Sequence, residues 1–319
     1  MRSTSHPALI ALDWGTSSLR AWLLDPVGAA IAGRESGHGI MRLPEGGFER
    51  ALSDLAGDWL GLGPRLPICA CGMVGSAQGW HEAPYVPAPA GVDEVARALP
   101  RFETPSGHAL HIVPGMAFEG EMPDVMRGEE TQVFGAMGEQ AAGARARDLY
   151  VLPGTHSKWV VVEAGRIVEF RTFMTGETFA ALRDHTILGR LVAEGGESDL
   201  PAFERGVSAA AAAHARGGPM SVLFSARSLA LLGRLPKTSV ADYLSGLLIG
   251  AELAGAAGLF PIEQGDAPRH VTIVGSATLC ERYRAAFAVV GSTRVDVRTE
   301  ASRQGVWRIA ARAGLVPRI

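Results

Sequence analysis

The segment from Asp13 to Arg20 carries residue types that bind phosphate groups and divalent cations. Asp13 ends an apolar run, and its carboxylate can hold Mg²⁺ directly or through water. Gly15 lets the backbone come close to a phosphate, and Arg20 can neutralise charge on a phosphoryl group in transfer. Hydroxyl and backbone donors come from Thr16, Ser17 and Ser18. The alternative is a hairpin turn filled with polar residues.

Two glutamates, Glu129 and Glu130, open a segment with helical spacing just after Gly128. The helix dipole stabilises a carboxylate at a helix N-terminus as the anion, so such a group is ready to accept a proton. A general base must also lie within hydrogen-bond reach of the proton that it takes. Capping of the helix is the alternative role. Arg127, just before the glutamates, has the planar fork that binds a carboxylate through two hydrogen bonds.

A second polar loop, from Pro153 to Ser157, lies between two apolar runs and contains Gly154, Thr155 and His156. It repeats the pattern of the first loop, in which a strand, a polar turn and a second strand follow one another. Two such hairpins in one chain predict a duplicated half.

The first loop resembles the phosphate-1 motif of the actin/hexokinase/Hsp70 ATPase superfamily and is closest to sugar kinases of the glycerol kinase and xylulose kinase type. The second loop resembles the phosphate-2 hairpin of that superfamily. The resemblance implies that Gly154 and Thr155 face the β- and γ-phosphates of ATP and that Lys158 adds positive charge. Many members carry an Asp before this loop, where this chain has Pro153, so the base must come from elsewhere.

Related sugar kinases place a catalytic Asp at a helix start in this part of the chain. The resemblance therefore implies that Glu129 or Glu130 takes the proton of the attacking hydroxyl. We favour Glu130, because a residue just inside the first turn can project from the mouth of the helix. His156 is the next candidate, and a loop histidine with no chemical role is the alternative. Arg127 is the candidate for binding a substrate carboxylate.

Two further loops contain candidate ligand-binding residues. The first follows a buried strand and resembles the sugar-contacting loop of xylulose kinase-like enzymes, although a structural loop is the alternative; its candidates are Gly72, Met73, Ser76, Gln78 and Trp80. The second resembles the adenosine motif, in which small residues let a purine lie against the backbone; its candidates are Gly275, Ser276 and Ala277. A separate segment, Met174 to Glu177, predicts a helix cap with Thr175 as the N-cap residue.

The combination of MRGEETQ, LPGTHSKWV, GMVGSAQGW with the following APY, and FMTGE resembles the 2-dehydro-3-deoxygalactonokinase family over nearly the whole chain. The family implies phosphorylation of 2-dehydro-3-deoxy-D-galactonate at its terminal hydroxyl by ATP and Mg²⁺, in galactonate catabolism. One alternative is a kinase for another sugar or sugar acid in the same fold. Another is a nucleotide-binding regulator without turnover, which we disfavour because the first strand begins near Ala8 and leaves no room for an N-terminal DNA-binding domain.

The elements that must position these residues alternate between strands and helices. Apolar runs predict strands at residues 8–12, 19–24, 29–35, 67–73, 109–113, 148–152, 158–163, 166–173 and 270–274, and helical spacing predicts helices at residues 47–60, 92–99, 130–145, 176–191, 203–215, 243–259 and 301–313. The chain is therefore α/β.

The superfamily resemblance implies two RNase H-like domains of the actin-like ATPase or hexokinase fold, with a cleft between them. We place the first domain, with the sugar-contacting loop, at residues 1–125. The second domain, with the phosphate-2 and adenosine motifs, follows at residues 126–319. The last helix can pack back on the first domain, and residues 114–127, which contain two prolines and two glycines, are a predicted hinge.

Bulk properties narrow the possible partners and location. With 319 residues the chain exceeds the usual size of one hydrophobic core. Its net charge of −3 gives no basic excess to attract nucleic acid or an anionic membrane, and no apolar run approaches the roughly 20 residues of a membrane span. No signal peptide is visible, and Cys69, Cys71 and Cys280 make no disulfide framework, so we expect a cytoplasmic protein. The predicted partners are ATP and a small sugar acid, and no oligomeric state is predicted.

Overall fold

A computed structural model of the chain describes residues 6–63, 66–137, 147–193, 195, 197–260, 263–264, 267–268, 270–291 and 294–316. The chain divides into two compact units. The first unit comprises residues 1–147, 161–170 and 300–319, and the second comprises residues 148–160 and 171–299. The predicted boundary at residue 125 stays a prediction.

Runs of strands and helices follow one another along the chain. The strands are β1 (Leu9–Trp14), β2 (Leu19–Leu24), β3 (Ala30–Ser36), β4 (Ile68–Cys71), β5 (Tyr85–Pro87), β6 (Arg101–Glu103), β7 (Ala109–Ile112), β8 (Gly115–Phe118), β9 (Asp124–Met126), β10 (Asp148–Leu152), β11 (Ser157–Glu163), β12 (Arg166–Phe173), β13 (Glu263–Gln264), β14 (Ala267–Pro268), β15 (Val271–Val274) and β16 (Val295–Arg298). The helices are α1 (Gly47–Leu60), α2 (Val92–Arg97), α3 (Glu129–Ala136), α4 (Thr175–His185), α5 (Leu200–His214), α6 (Ser225–Leu231), α7 (Val240–Leu259), α8 (Ala277–Val289) and α9 (Ala301–Arg312).

Two sheets repeat one strand order. The larger sheet runs β3-β2-β1-β4-β7-β6, and the second runs β12-β11-β10-β15-β16. In each sheet three consecutive strands are followed by two strands that lie parallel to the first, β4 and β7 in the larger sheet and β15 and β16 in the second. Strand β6 ends the larger sheet and is antiparallel to β7. The predicted α/β class and the duplicated half are confirmed, and the repeated order is that of two RNase H-like domains.

The core of the first unit brings together the strand ends that carry candidate residues. Leu52 and Trp59 of α1 pack in one cluster with Ile10 and Leu12 of β1. Helix α9 packs against β1, β4 and α3. Because β1 and β4 are parallel neighbours, their carboxyl ends meet at one edge of the sheet. That edge holds Asp13 and the loop after Cys71.

The core of the second unit is largely helical. Helix α7 packs along α5, and its residues Tyr243, Leu244 and Leu247 share one cluster with side chains of α5 and α6. With the turn before it, α7 is the helix among the described residues that is long and apolar enough to cross a membrane. However, 67% of its most apolar window is buried inside the structure, as is common for the core helix of a soluble protein.

Three details differ from the sequence expectations. Residues 114–127 do not form a hinge loop, because β8 and β9 lie there and join β5 in a three-stranded sheet. Helix α4 ends at His185 instead of residue 191, because Thr186 has an extended backbone. The predicted continuation of α3 to residue 145 lies largely outside the described residues.

Candidate functional site

Asp13 and Arg20 form a charged pair at the end of β1. They are opposite one another in the antiparallel register of β1 and β2, and Arg20 Nη2 donates to Asp13 Oδ2 at 2.5 Å. The Asp13 side chain is 11% exposed, whereas that of Arg20 is 39% exposed. The carboxylate is thus held at the rim of the sheet with a more accessible guanidinium beside it.

The turn between β1 and β2 is fixed by backbone hydrogen bonds to the segment before α1. Gly15 N–H donates to the Ser18 carbonyl at 3.0 Å, while Ile40 N–H donates to the Gly15 carbonyl at 3.0 Å and Met41 N–H to the Thr16 carbonyl at 3.1 Å. The side chains of Thr16 and Ser17 are exposed. The predicted phosphate-1 loop is therefore an ordered turn that presents hydroxyl groups outward.

The loop after β4 passes close to the start of α3. A Cβ atom on Gly72 would lie 2.8 Å from the Trp14 carbonyl oxygen, and one on Gly128 would lie 3.1 Å from Gly72 Cα. Both glycines have positive φ angles, 92° and 107°, which glycine adopts without strain. This approach brings the first turn of α3 to the same sheet edge as Asp13.

Glu130 is fully buried in the first turn of α3, and its carboxylate turns back to the local backbone. Its Oε2 accepts from Gly128 N–H at 2.7 Å, and its Oε1 accepts from the Thr131 hydroxyl at 2.8 Å. Burial, followed by the neighbouring charge of Glu129, raises the pKa of Glu130 to about 7. The Glu130 carboxylate therefore lies at the N-terminal end of α3 and is buried there, and its role as the base stays a prediction.

Glu129 is the more accessible of the two glutamates. Its side chain is half-buried, and its Oε2 accepts from the backbone N–H of Arg127 at 3.0 Å. Asp13 and Glu130 both lie within electrostatic reach of the Cys71 thiol. The pKa of the Cys71 thiol is raised well above its usual value. Burial is the largest cause, and the charges of Asp13 and Glu130 add to it. The first unit thus places the carboxyl groups of Asp13 and Glu130 near one thiol at the end of β4.

Arg127 is a buried cation with unused hydrogen-bonding capacity. The residue is 9% exposed, and its Nη2 donates to the Ala83 carbonyl at 2.8 Å. The guanidinium carbon lies 4.3 Å from the centroid of the Tyr85 ring. Its Nε and Nη1 atoms are buried and have no hydrogen-bond partner among the described residues. Unpaired buried donors are costly, so this arrangement suits an anionic ligand.

Most side chains of the predicted sugar-contacting loop form contacts within the protein. Met73 begins a short 3₁₀ turn, and the Ser76 hydroxyl donates to the Met73 carbonyl at 2.8 Å. The Trp80 ring stacks on Phe48, with centroids 5.7 Å apart and planes 9° apart. Gln78 is exposed. Of the polar candidates in this loop, Gln78 therefore has the side chain most available to a ligand.

In the second unit, the loop after β10 packs tightly against the start of α4. A Cβ atom on Gly176 would lie 2.4 Å from the Gly154 carbonyl oxygen, so only glycine fits there. Glu177 N–H donates to the Thr155 carbonyl at 2.9 Å. The exposed side chains of His156 and Glu177 also meet, with Nε2 and Oε2 2.5 Å apart. The first turn of α4 thus packs against the predicted phosphate-2 loop and is hydrogen-bonded to it.

Thr175 is not the N-cap of α4, because Met174 occupies that position and the Thr175 hydroxyl donates to Glu252 Oε2 of α7. Glu252 is buried and also accepts from Trp159 Nε1 and the Tyr283 hydroxyl, each at 2.7 Å. Burial raises the pKa of Glu252, against the effect of these donors. Sequence reasoning missed this group, although a glutamate inside an apolar helix was a usable signal.

The remaining candidates of the second unit lie beside the same loop. Lys158 is buried, and its Nζ donates to the Thr172 hydroxyl of β12 at 2.6 Å. Because β10 and β15 are parallel neighbours, the loops that follow them are adjacent, and a Cβ on Gly275 would lie 3.7 Å from the Pro153 carbonyl oxygen. Ser276 and Ala277 are exposed at the start of α8. The predicted phosphate-2 and adenosine loops therefore form one continuous rim.

Comparison with known proteins identifies the family. A model of the 2-keto-3-deoxy-galactonokinase family matches residues 13–309. The chain is 39% identical over 313 residues to a Rhizobium meliloti (strain 1021) protein named as a probable 2-dehydro-3-deoxygalactonokinase, covering 95% of this chain and 96% of that protein. It is 35% identical over 310 residues to the 2-dehydro-3-deoxygalactonokinase of Escherichia coli (strain K12), covering 95% and 97%.

A solved structure agrees with this result over the same length. It is described as a candidate 2-dehydro-3-deoxygalactonokinase from Sinorhizobium meliloti, and it superposes with a TM-score of 0.83 at 38% identity. The match covers 95% of this chain and 98% of that one. The chain belongs to the 2-keto-3-deoxy-galactonokinase family.

Proposed function

We propose that this chain transfers the γ-phosphoryl group of ATP to the terminal 6-hydroxyl of 2-dehydro-3-deoxy-D-galactonate, in galactonate catabolism. The products are 2-dehydro-3-deoxy-6-phosphogalactonate and ADP. The observation that carries the proposal is the full-length similarity to relatives named for this reaction. The charged edge of the first unit and the glycine-rich rim of the second supply the groups that such a reaction needs.

Arg127 is the proposed anchor for the substrate carboxylate. Its two unpartnered donors, Nε and Nη1, are buried beside an aromatic ring, so an incoming carboxylate would satisfy groups that the protein leaves open. A charged hydrogen bond in such a site is stronger than one in water. A sugar without an acidic group would leave these donors unpaired, which favours acid substrates over neutral sugars.

Glu129 is the proposed proton acceptor. It is half-buried and therefore within reach of a ligand, whereas Glu130 is fully buried. As the substrate hydroxyl oxygen bonds to the γ-phosphorus, its proton passes to the Glu129 carboxylate. The bond from the γ-phosphorus to the bridging oxygen breaks, and ADP leaves with the electron pair. Glu130 is assigned a supporting role, since it holds the Gly128 backbone at the start of the helix.

Asp13 and Arg20 are the proposed groups at the transferred phosphoryl group. No cluster of three or more His, Cys, Asp or Glu side chains that could hold a metal occurs in the described part of the chain. Mg²⁺ usually takes one or two carboxylates and completes its shell with phosphate oxygens and water. Asp13 would hold that ion, which supplies charge neutralisation at the phosphates when bound. Donors for the phosphates are proposed at Gly15, Thr16, Ser17, Ser18, Gly154, Thr155 and Lys158.

The proposed reaction is tested by measuring ADP release in a coupled assay with a panel of acceptors. The panel contains 2-dehydro-3-deoxy-D-galactonate, its gluconate epimer, D-galactonate and a neutral deoxy sugar of matched length. We expect the first compound to give the highest kcat/KM and the neutral sugar to give the lowest. A higher value for another acid would move the assignment to a different sugar-acid kinase. Absence of turnover with every acceptor, despite nucleotide binding, would favour a sensor.

Replacement of the proposed carboxylate anchor gives a sharper test. Arg127→Lys keeps the positive charge but loses the planar fork, so KM for the sugar acid should rise while KM for ATP stays near the wild-type value. Arg101→Lys is the matched control, because Arg101 is exposed at the edge strand β6. An unchanged sugar-acid KM in Arg127→Lys would exclude Arg127 as the main anchor.

We further propose a cytoplasmic location. All three cysteines, Cys69, Cys71 and Cys280, are buried free thiols, which suits a reducing compartment. Burial raises the pKa of Cys69 to about 12 and that of Cys280 to about 11, so neither forms a reactive thiolate near neutral pH. Fractionation of the native host cells, with the chain followed by antibody, tests this location.

A further inference from the structure

Tyr85 is an aromatic residue of the first unit to which the proposed mechanism gives no role. It begins β5, which forms a three-stranded sheet with β8 and β9 in the order β5-β8-β9. The residue is 43% exposed. An aromatic ring at a surface strand can present its face to a neighbouring cation, and the neighbours of this ring include one.

The Tyr85 ring lies across a glycine of the central strand. Tyr85 and Gly115 are partners in the parallel register of β5 and β8, so both positions belong to one face of the sheet. A Cβ atom on Gly115 would lie 2.7 Å from Cδ1 and Cε1 of Tyr85, which is too close for any other residue. The ring therefore fills the space of the absent side chain and is held against the backbone of β8.

Arg127 completes a row of three residues across this sheet. The antiparallel register of β8 and β9 pairs Met116 with Met126, so one step further along it Arg127 is opposite Gly115. Neighbouring strands lie about 4.8 Å apart, so β5 and β9 are about 10 Å apart. The long side chains at the two ends of the row meet, because the guanidinium carbon of Arg127 lies 4.3 Å from the centroid of the Tyr85 ring.

Two further contacts restrict the Arg127 guanidinium. Its Nη2 donates to the Ala83 carbonyl at 2.8 Å, and a Cβ atom on Gly75 would lie only 3.1 Å from its Nη1. Nε and Nη1 are nevertheless without a hydrogen-bond partner in the part of the chain that the structure describes. The group is thus fixed by a ring against one face and a carbonyl at one amino group, while two donors stay open.

We propose that Tyr85 is a positioning residue that determines the preference for acidic acceptors, because its ring holds the Arg127 guanidinium with two donors open to the acid. The inference rests on the proposed function and deepens it. A guanidinium that is already fixed loses little freedom when the acid binds, so the acid gains affinity that a neutral acceptor does not. The role depends on the face of the ring and not on the hydroxyl group.

The test compares Tyr85→Leu, Tyr85→Phe, Arg127→Met and the double variant of Tyr85→Leu and Arg127→Met. The measured quantities are KM for 2-dehydro-3-deoxy-D-galactonate, KM for ATP, kcat and the melting temperature. Val86→Ala is the matched control, because Val86 is the next residue of β5, is buried and lies on the opposite face of the strand. It weakens the packing of the same strand without removing the ring.

Tyr85→Leu should raise the KM for the sugar acid roughly 3- to 30-fold, the range expected for loss of a cation–π contact, with kcat and KM for ATP near wild type. Tyr85→Phe keeps the ring and should restore most of the wild-type KM. Val86→Ala should lower the melting temperature and leave each KM unchanged. The double variant should have the sugar-acid KM of Arg127→Met alone, because Tyr85 acts through the guanidinium that Arg127→Met removes.

Additive increases of KM in the double variant, or equal increases for Tyr85→Leu and Tyr85→Phe, would overturn this role. An unchanged sugar-acid KM in a folded Tyr85→Leu protein would do the same. These results leave the proposed reaction intact, whereas a wild type that does not phosphorylate the sugar acid refutes the proposed function and this inference with it. If Tyr85→Leu does not fold, Tyr85→Met gives the same comparison with a side chain that adapts to irregular space.

Discussion

The turns that follow β1 and β10 occupy equivalent places in the two sheets, yet they carry different chemistry. The turn after β1 is flanked by Asp13, near the end of β1, and by its ion-pair partner Arg20 in β2. The turn after β10 begins with Pro153 and continues with the uncharged residues Gly154 and Thr155. His156 of this turn and Glu177 of α4 form a pair of exposed side chains.

The buried ionisable side chains near the two turns also differ. Near the first turn lie Cys71 and Glu130, whose pKa values are both raised, so the charge of that region changes with pH. Behind the second turn lies Glu252, held by neutral donors from Trp159, Tyr283 and Thr175. The two sheets therefore place their first turns at equivalent positions, but the residues around each turn have different chemistry. We infer that the first copy supplies proton transfer and metal binding and the second supplies nucleotide positioning.

The largest expected effect comes from removing the proposed base in the first unit. Glu129→Gln keeps the size of the side chain but removes the proton acceptor, so kcat should fall about 100- to 10,000-fold. Glu130→Gln should cause a much smaller loss, because Glu130 is buried and bound to its own helix. The measurement is kcat for both variants, together with ADP affinity to verify that nucleotide binding survives.

The pair of glutamate variants also decides between the alternatives. A large loss in Glu130→Gln with an active Glu129→Gln would return the role of base to Glu130. Full activity in both would move the base to the other unit, where His156 is the next residue to replace. That result would contradict the inference that the first turn supplies proton transfer and the second supplies nucleotide positioning.

A second large effect is expected at the metal-binding position. Asp13→Ala should lower turnover on the order of 100-fold or more, since it removes the proposed Mg²⁺ ligand and leaves Arg20 without its partner. The fold should survive, because a partly exposed ion pair contributes only about 1 kcal/mol or less. Asp54→Ala, which breaks an exposed pair with Arg50 on α1, is the control. Near-wild-type turnover in a folded Asp13→Ala protein would contradict the metal assignment.

Much of the fold that carries these turns could be predicted from local pattern. The bounds of β2, α1, β10 and β12 agree with the sequence expectation at both ends. These elements have clear apolar periodicity and lie next to turn residues, so local propensity and tertiary packing favour the same structure. The placement of Asp13 at a strand end follows from the same local signals.

Several failures of sequence reasoning involve partners that are distant along the chain. Gly115 and Gly120 predicted a hinge, but β8 forms there because it pairs with β5 some thirty residues earlier. Thr175 looked like a helix cap, yet its hydroxyl reaches Glu252, 77 residues away. Gly128, at the start of the helix that carries Glu130, approaches Gly72 of a distant loop. No local pattern encodes these approaches.

A smaller effect is expected behind the second turn. Thr175→Val keeps the shape of the side chain but removes one of the donors to Glu252, which should cost about 1–2 kcal/mol of stability. Because Gly176 packs on Gly154, loosening this residue should raise KM for ATP severalfold and leave KM for the sugar acid unchanged.

Thr186→Val is the matched control for this change, since the Thr186 hydroxyl bonds only within the end of α4, to the Leu182 carbonyl and Leu188 N–H. It should lose stability without a change in KM for ATP. If Thr175→Val raised KM for both substrates equally, the second turn would not be specialised for the nucleotide.

The smallest expected effect concerns stability and sharpens the contrast between the buried carboxyl groups. Burial and Glu129 raise the pKa of Glu130 from 4.5 to about 7. Between these pH values the folded state keeps a proton that the unfolded state releases, so this contribution to stability is full below pH 4.5 and is lost as the pH rises through about 7. Glu130→Gln removes the titration, so its free energy of unfolding should fall less than that of wild type between pH 5.5 and pH 8.5, by a difference of about 2 kcal/mol. Melting temperatures at the two pH values measure this difference. The exposed variant Glu281→Gln should follow wild type, because Glu281 pairs with Arg284 at the surface. Glu252, whose pKa is also raised by burial, keeps part of the slope in every variant. Equal slopes for wild type and Glu130→Gln would mean that Glu130 is already ionised in the folded protein, and the first turn would then lack the pH-dependent charge that separates it from the second.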